Sequence, residues 1–590
     1  MRRTRAASLV ALSAAATLLL AACGGGGGNA GGEGGGGAAE QTSQGGVLAD
    51  CADNPNDCNS VPADQLQQGG EITVALEKNI DNWMLIHSDG NVSPQSNAIK
   101  TWLPFTFATL PDLSVALNEN VFTSAEQTSA SPQTIVYEIK PEAVWNDGTP
   151  ISAEDFIFTW KYQDGKTCPD CTPASTSGYD KVASVVGSNN GKTVTVTFAE
   201  PFTDWKNLWS AGAPLYPAHI AAQQGDYNTG PGLKAAETYF VGTVPTYSGG
   251  PYQVENWEPN TALTAVPNPQ WYGAVKPKLD RVVYRIITDA TQEPVALQND
   301  EVQVIMPQPQ VDLVAQVANI PGVSQQQSLG LSWEHIDFNA DNPFLAAEPL
   351  RDALATATNV QDMIDKTVGQ FNDEVEPLKS TMLLPGLEGY QDNIGDSGKG
   401  SGDVEAAKKI LTDAGYTGVG TALVAPDGQA VPPMRIVYTV GNAIRQTQSE
   451  IFAAAAQQLG VTFQPTTTDS LGTSLGAGDY DAIVFAYISS PFPFSNAQQN
   501  FVSTSASNYT KTRIPELDAL LNQAAASTDA ADALAKLNEA DKMVLDVSAM
   551  LPLYQKPTYL AIKDNIGNAR DNASLDSATY NIAEWGLRQG

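Results

Sequence analysis

The sequence predicts an α/β or α+β body with at least two lobes and more than one sheet. Strand-like and helix-like segments alternate along most of the chain, an order typical of such folds. Hydrophobic residues make up 42% of the 590 residues, enough for a core, and the chain is longer than one core usually holds. The formal net charge of -33, with the acids scattered along the chain, favours a soluble protein and argues against nucleic acid or anionic lipid surfaces as partners.

Residues 1–22 have the pattern of a secretory signal peptide. Arg2, Arg3 and Arg5 form a basic start, and residues 6–20 are uncharged and rich in alanine and leucine. The ending Ala21-Ala22-Cys23 resembles a bacterial lipobox, in which the signal is cut before the cysteine and its thiol carries diacylglycerol. An uncleaved membrane anchor is the alternative, but the apolar run is shorter than the ~20 residues that a span needs.

We therefore expect the protein in the cell envelope, lipid-anchored through Cys23 to the outer face of the cytoplasmic membrane. The glycine runs of residues 24–46 bury too little apolar surface to fold. Residues 23–62 are predicted to form a flexible tether that holds a globular body off the membrane.

Four further cysteines form two close pairs, Cys51 with Cys58 and Cys168 with Cys171. In an exported chain such pairs favour two local disulfides. A zinc site would require both pairs to meet in space, and no histidine lies near either of them. A redox pair should open a helix after a strand, whereas Cys168 and Cys171 flank a loop tip rich in proline. We expect no metal and no cofactor.

The first half of the body is predicted to be rich in strands. Ser152 fits the N-cap of a helix that runs to about residue 162, with Asp155 three positions later, and a second helix is predicted at 292–299. The period-2 pattern predicts strands at 71–76, 134–140, 193–198, 249–257, 262–266, 281–287 and 302–306.

The second half, from about Trp333, alternates between strands and longer helices. Gly415 and Gly460 stand where helices should end. Strands are predicted at 332–339, 435–440, 461–464, 482–487, 551–554 and 559–562. Helices are predicted at 349–367, 404–414, 444–459, 518–526 and 530–547.

Several motifs together resemble the extracellular solute-binding proteins of family 5, the dipeptide, oligopeptide and nickel binders of ABC importers. Any one motif is weak, but they follow the family's order over most of the chain. They are 144–156 (VWNDGTPISAEDF), 250–252 (GPY), 268–273 (NPQWYG), 276–280 (KPKLD), 338–339 (FN), 351–354 (RDAL), 406–416 (AAKKILTDAGY), 515–521 (PELDALL) and 551–554 (LPLY).

The resemblance implies a periplasmic-binding-protein-like two-lobe α/β fold of the large type II class, with ligand held between the lobes. Lobe I would comprise residues 63–325, with an extra subdomain at about 101–225, and lobe II residues 326–548. Residues 549–590 would return to lobe I. The function implied is capture of a peptide and its delivery to the permease of an ABC importer by a monomeric protein.

Ligand contacts are expected where strands end at the cleft. Peptide-binding members carry a Gly-Trp-x-x-Asp stretch whose Asp pairs with the ligand's amino terminus. Here the aromatic is Tyr487 and Ser490 stands at the Asp position, so that ion pair is missing. Glu77 or Asp81 could supply an acid instead, or the ligand could be blocked, longer or not a peptide. The predicted contacts are Asn79, Asp81, Asn82, Trp83, Trp333, His335, Asn442, Arg445, Tyr487, Ser489, Ser490 and Phe492.

Arg445 has two interpretations of equal weight. It opens a long helix, where main-chain N–H groups favour an anion such as a carboxylate, or it is a solvated helix charge. No HExxH, GxSxG, GxGxxG or P-loop pattern occurs, so we expect a binder and not an enzyme. A lipid-anchored hydrolase, and a family 5 binder of a non-peptide ligand acting in transport or sensing, remain the alternatives.

Overall fold

A computed structural model describes residues 46–48, 51–91 and 93–589. Within them lie strands β1–β19 and α-helices α1–α14. The strands are β1 Gly46–Val47, β2 Glu71–Leu76, β3 Phe107–Thr109, β4 Val115–Leu117, β5 Phe122–Ala130, β6 Gln133–Ile139, β7 Val182–Ser188, β8 Thr193–Phe198, β9 Tyr252–Glu258, β10 Ala262–Pro267, β11 Arg281–Ile286, β12 Val304–Ile305, β13 Val323–Phe338, β14 Met434–Thr439, β15 Phe463–Thr468, β16 Ala482–Ile488, β17 Met550–Lys563, β18 Ile566–Gly567 and β19 Gly586–Leu587.

The α-helices connect these strands and cover both faces of the main sheet. They are α1 Ser93–Ile99, α2 Ala153–Gln163, α3 Ala218–Gln224, α4 Gly230–Gly242, α5 Glu293–Gln298, α6 Val311–Ala318, α7 Glu348–Ala357, α8 Val360–Asp365, α9 Val404–Asp413, α10 Ala443–Gln458, α11 Leu471–Ala477, α12 Pro493–Phe501, α13 Pro515–Ala525 and α14 Ala530–Asp546. In the part of the chain that the structure describes, no helix is both long and apolar enough to cross a membrane.

One large sheet runs through the body in the order β15-β14-β16-β13-β17-β12-β2-β11-β10-β9, and β1 pairs with the edge of β13. The long strands β13 and β17 pair with each other along most of their length. They lie in the middle of the sheet and join its two ends. The two ends have separate cores. One contains Val74 and Tyr284, and another contains Ile336 and Phe452.

We propose lobe boundaries within β13 and β17, and we name lobe I residues 51–330 with 557–589, and lobe II residues 331–556. The side chains of the four buried clusters fall within one lobe or the other, apart from Leu113 of lobe I, which packs into a lobe II cluster. The fold is thus the predicted two-lobe α/β type.

A second sheet, β5-β6-β8-β7, forms a subdomain of lobe I with α2 packed on it. The predicted cap of α2 is present: Ser152 Oγ accepts from the N–H of Glu154, and Asp155 Oδ2 accepts from the N–H of Ser152 at 2.9 Å. Asp155 also accepts from the N–H of Ala218, and burial raises the pKa of Asp155 to about 7. Gly148 has φ +86°, as the predicted turn requires.

The predicted signal peptide, Cys23 and the first part of the predicted tether lie outside the described residues. The last part of that tether is packed and not free: Cys58 is buried, and the N–H of Val61 donates to Asn568 Oδ1 at 2.6 Å. The tether prediction therefore extended too far, because the composition of residues 51–62 does not show their contacts with the C-terminal segment. Both predicted disulfides, Cys51–Cys58 and Cys168–Cys171, are confirmed.

Three predicted boundaries differ clearly from the structure. The strand predicted at 332–339 is the last part of β13, which begins nine residues earlier, at Val323. The helix predicted at 349–367 is two helices, because Thr358 is extended after α7 and Asn359 caps α8 by accepting from the N–H of Asp362 at 2.9 Å. The strands predicted at 551–554 and 559–562 are one strand, β17, in which Pro557 pairs with Leu329 of β13.

Candidate functional site

The carboxyl ends of four strands meet where the two lobes face each other. In lobe I, β2 pairs in parallel with β12, so both end at one edge of the sheet. In lobe II, β14 pairs in parallel with β16, so their carboxyl ends also lie toward one edge of the sheet. We name the space between these two edges the cleft. Ligands of open α/β sheets bind beyond such carboxyl ends.

A cavity of about 440 Å³ lies in the cleft and is lined by both lobes. Gln308–Asp312, which follow β12, form the lobe I wall, and residues 439–444 at the start of α10 form the lobe II wall. Glu334 of β13 and Lys556 of β17 form its floor between them. Val311 and Val440 are 39% and 56% exposed, so the walls offer apolar surface to a ligand.

Three charged side chains at this cavity form a buried cluster. Arg445 Nη2 donates to Glu334 Oε1 at 2.8 Å, and Lys556 Nζ donates to the same oxygen at 3.0 Å. Glu334 is 2% exposed; although burial opposes its charge, Lys556 and Arg445 together lower its pKa to about 2. Two cations therefore share one anion, and the cluster keeps one net positive charge next to the cavity.

The amino end of α10 opens at the same cavity. Asn442 caps this helix, since its Oδ1 accepts from the N–H of Arg445 at 3.0 Å, and its neighbours Ala443 and Ile444 line the cavity wall. The first N–H groups of a helix have no partner within the helix and carry partial positive charge. Together with the net charge of the Glu334 cluster, they make this end of the cleft suitable for a carboxylate.

The structure shows a third role for Arg445, different from both sequence interpretations. Arg445 is 8% exposed, its guanidinium donates to Glu334 and to Thr439 Oγ1, and it is not among the residues that line the cavity, so it is not a solvated helix charge. Lys556 lines the cavity and makes one bond to Glu334, so it has N–H groups left for a ligand or for water.

Four of the predicted contacts lie together on the opposite face of β13 and β16. Trp333 Nε1 donates to Ser489 Oγ at 3.1 Å, and the ring of His335 stacks on Tyr487 at 4.5 Å. His335 Nδ1 lies 2.8 Å from Asp337 Oδ1, and both residues are fully buried. These aromatic side chains are part of the protein core, and they support the loop that carries Ser489.

Ser490 and Phe492 lie in the loop between β16 and α12. Ser490 Oγ accepts from the N–H of Phe492 at 3.2 Å, so its hydroxyl stabilises the loop itself. Phe492 lines a second cavity between the lobes, of about 680 Å³, whose other wall includes Asp204 and Trp205 of the subdomain. Ile488, the last residue of β16, is 51% exposed just before this loop.

The four predicted contacts after β2 divide into two pairs. Asn79 donates to Asp81 and accepts from the N–H of Asn260 at 2.8 Å, and Asp81 is exposed at the edge of lobe I. Asn82 and Trp83 are buried. Asn82 Oδ1 accepts from the N–H of Met84, and Trp83 packs edge-on against Trp257 with the ring centroids 5.3 Å apart.

Glu334 and Lys556 are absent from the residues predicted by sequence, although both line the cavity. The signal for Glu334 was its position between Trp333 and His335, because a residue between two buried neighbours of a strand faces the other side of the sheet. No group of three or more His, Cys, Asp or Glu side chains suited to a metal occurs in the described segments.

The comparisons with known proteins agree with this geometry. Residues 116–509 match the family described as bacterial extracellular solute-binding proteins, family 5 Middle. Oligopeptide-binding protein OppA of Mycobacterium tuberculosis is 30% identical over 534 residues, which cover 88% of this chain and 86% of that protein. A probable monoacyl phosphatidylinositol tetramannoside-binding protein, LpqW, of the same species is 27% identical over 52% of this chain and 46% of that protein.

Solved structures with the same fold include binders of different ligands. The periplasmic EDTA-binding protein EppA has a TM-score of 0.84 and 35% identity, over 90% of this chain and 98% of that one. The oligopeptide-binding protein AppA from Bacillus subtilis, in complex with a nonapeptide, has a TM-score of 0.69 and 20% identity, over 89% of this chain and 100% of that one. At 20% identity the second comparison shows the fold alone.

Proposed function

Because the chain belongs to the bacterial extracellular solute-binding proteins of family 5, which are binders and not enzymes, we propose that it captures peptides in the cleft and delivers them to the permease of an ABC importer. A diacyl anchor on Cys23 would keep the protein on the outer face of the membrane that contains the permease. It would act as a monomer, since one chain supplies both walls of the cleft.

The observation that carries this proposal is the cavity between the lobes with a net positive charge at one end. Lys556 and the start of α10 offer N–H donors to a carboxylate, and Val311 and Val440 offer apolar surface to side chains. A peptide has both a terminal carboxylate and side chains of mixed polarity. The 30% identity with proteins named oligopeptide-binding supports the same ligand class.

Thermal unfolding of the protein produced without residues 1–23 tests the proposal. A ligand bound only by the folded state raises stability, by about 2.7 kcal/mol at a concentration of 100 times Kd. We expect synthetic peptide pools to raise the melting temperature without being consumed. Hydrolysis of the peptides would contradict the proposal, and so would the absence of any stabilisation by pools of every length from two to ten residues.

A substitution of Lys556 tests whether the basic end of the cleft binds a carboxylate. Lys556→Met should weaken binding of peptides with a free carboxylate by about tenfold, the effect of losing one charge-assisted hydrogen bond, and should leave C-terminal amides unaffected. Lys542→Met, on the exposed side of α14, is the matched control. Equal weakening for acids and amides would show that Lys556 does not bind the carboxylate.

A polycarboxylate, free or as a metal chelate, is the second candidate ligand. The 35% identity with a protein named EDTA-binding favours it, and the net positive charge of the Glu334, Lys556 and Arg445 cluster suits it equally well. Metal–EDTA complexes belong in the same unfolding assay. Stabilisation by chelates and by no peptide pool would replace the peptide proposal with this one.

A further inference from the structure

Glu77 and Glu293 form an acidic pair in lobe I whose buried oxygens have no hydrogen-bond donor. Glu77 directly follows β2, and Glu293 is the first residue of α5. Glu77 Oε1 and both carboxylate oxygens of Glu293 are buried without a partner among the described residues. Glu293 is only 1% exposed, whereas Glu77 is half-buried at the edge of the sheet.

The pair lies beside the lobe I wall of the cleft. β2 and β12 pair in parallel with Val74 opposite Val304, so Glu77 follows β2 at the same edge of the sheet at which the chain leaves β12. The segment after β12 continues into Gln308, which lines the cavity. The N–H of Ile287 donates to the carbonyl of Leu76 at 3.0 Å, which brings the chain leading into α5 to the same edge.

An unpaired buried carboxylate is unfavourable, because it loses hydration without gaining hydrogen bonds. Burial, and secondarily the charge of Glu77, raise the pKa of Glu293 to about 8, and burial raises the pKa of Glu77. Elsewhere in the same region the acids are paired, as in the bond between Arg285 and Glu301 at 2.8 Å. The pair Glu77–Glu293 is thus a set of acceptors that no described cation satisfies.

The number of acceptors selects the kind of cation. Calcium takes six to eight oxygen ligands, and magnesium requires six in near-octahedral geometry. No cluster of three or more metal-ligating side chains is present in the described residues. An ammonium group has three N–H donors and one positive charge, which matches three unpaired carboxylate oxygens.

We propose that Glu77 and Glu293 bind the positively charged amino group of the ligand. This inference rests on the proposed function, since it assigns the amino end of a bound peptide to lobe I. The carboxylate end then lies toward Lys556 and the start of α10 in lobe II. A ligand held at both ends contacts both lobes at once, and this favours peptides whose length spans the cleft.

The test compares one synthetic pool of pentapeptides, free of lysine and arginine, in its free-amine form and its N-acetylated form. Wild-type protein should bind the free-amine pool at least about tenfold more tightly, the effect of charge-assisted hydrogen bonds. Glu77→Gln and Glu293→Gln keep the size of the side chains and should lose this preference. Glu301→Gln, in a surface ion pair, is the matched control and should keep it.

The outcomes separate the two proposals. If wild-type protein binds neither pool, the amine site is overturned, and the peptide function is overturned with it when pools of every length from two to ten residues also fail to bind. If wild-type protein binds both pools equally, peptide binding stands and the amine site is overturned. If a folded Glu293→Gln protein, verified by thermal unfolding, keeps the wild-type preference, then Glu293 has no part in binding the amine.

Discussion

Glu293 is the residue whose titration should be most visible in the stability of the ligand-free protein. Its pKa rises from the ordinary 4.5 to about 8 in the fold, so the native state binds the proton more tightly than the unfolded chain does. The stabilisation is fully present below pH 4.5 and is lost as the pH rises toward 8. The free energy of unfolding of Glu293→Gln, relative to that of wild type, should therefore increase by on the order of a few kcal/mol between pH 4 and pH 9.

Denaturant unfolding at both pH values measures this gain. Glu301→Gln should show no comparable change, because its carboxylate is partly exposed and paired with Arg285. If the free energies of unfolding of Glu293→Gln and wild type differ by the same amount at pH 4 and at pH 9, the pKa of Glu293 is not raised.

Single residues also show what the sequence could and could not predict about the site. Strand alternation placed Trp333 and His335 on one face of β13, and the structure agrees. Which face meets the cleft depends on the packing of helices against each side of the sheet, and alternation does not contain that information. Lys556 lies next to Glu334 although the two are 222 residues apart, because β13 and β17 pair. Long-range pairing of this kind is invisible to a local pattern.

At the scale of elements, α12 is capped by a residue of the other lobe. Asp204 of the subdomain accepts from the N–H and from the Oγ of Ser495, both at 2.7 Å, in the first turn of the helix. The preceding residue, Thr203, donates through Oγ1 to the carbonyl of Ala525 at 3.0 Å, at the end of α13. Two consecutive residues of lobe I thus bind the ends of two lobe II helices.

Asp204→Ala should therefore loosen α12 and the Ser489–Phe492 loop before it. Loss of an N-cap costs about 1–2 kcal/mol. Amide hydrogen exchange should accelerate in residues 493–501, with little change in α9, which is remote from the contact. Asp112→Ala, which removes an exposed carboxylate that accepts from the N–H and the hydroxyl of Ser114, is the control. Unchanged exchange in α12 would show that the cap does not stabilise it.

The helices and strands that the sequence predicted share a clear local signal. The cap at Ser152 and the glycines after α9 and α10 were found because these residues have fixed roles at helix ends. The sequence pattern did not predict β5, because its polar residues (FTSAEQTSA) lack alternation. It also did not predict α4, which begins with Gly-Pro-Gly. Both are stabilised by tertiary packing, β5 by pairing with β6 and α4 by burial of Leu233 and Phe240.

At the scale of the whole molecule, the lobes should rotate at the point where β13 and β17 pass from one lobe to the other, which we call the crossing. Their pairing is interrupted between Leu329 and Trp333, and Gly330 lies in this gap. A Cβ atom at Gly330 would lie only 3.1 Å from the carbonyl oxygen of Lys556. Hinges are short segments that absorb changes in backbone angles while the packed bodies on either side stay rigid.

Ligand binding should close the lobes about this crossing, because a ligand that contacts both walls of the cleft binds the closed form better than the open one. Small-angle scattering should show a smaller radius of gyration for wild-type protein with a stabilising peptide pool. Gly330→Val should reduce this change and weaken binding by about tenfold or more, since the added side chain crowds β17 at the crossing. Gly472→Val, where an added Cβ meets no atom within 4 Å, should behave as wild type. If a ligand raises the melting temperature while the radius of gyration stays constant, the lobes do not move on binding, and the cleft of this protein is a fixed site.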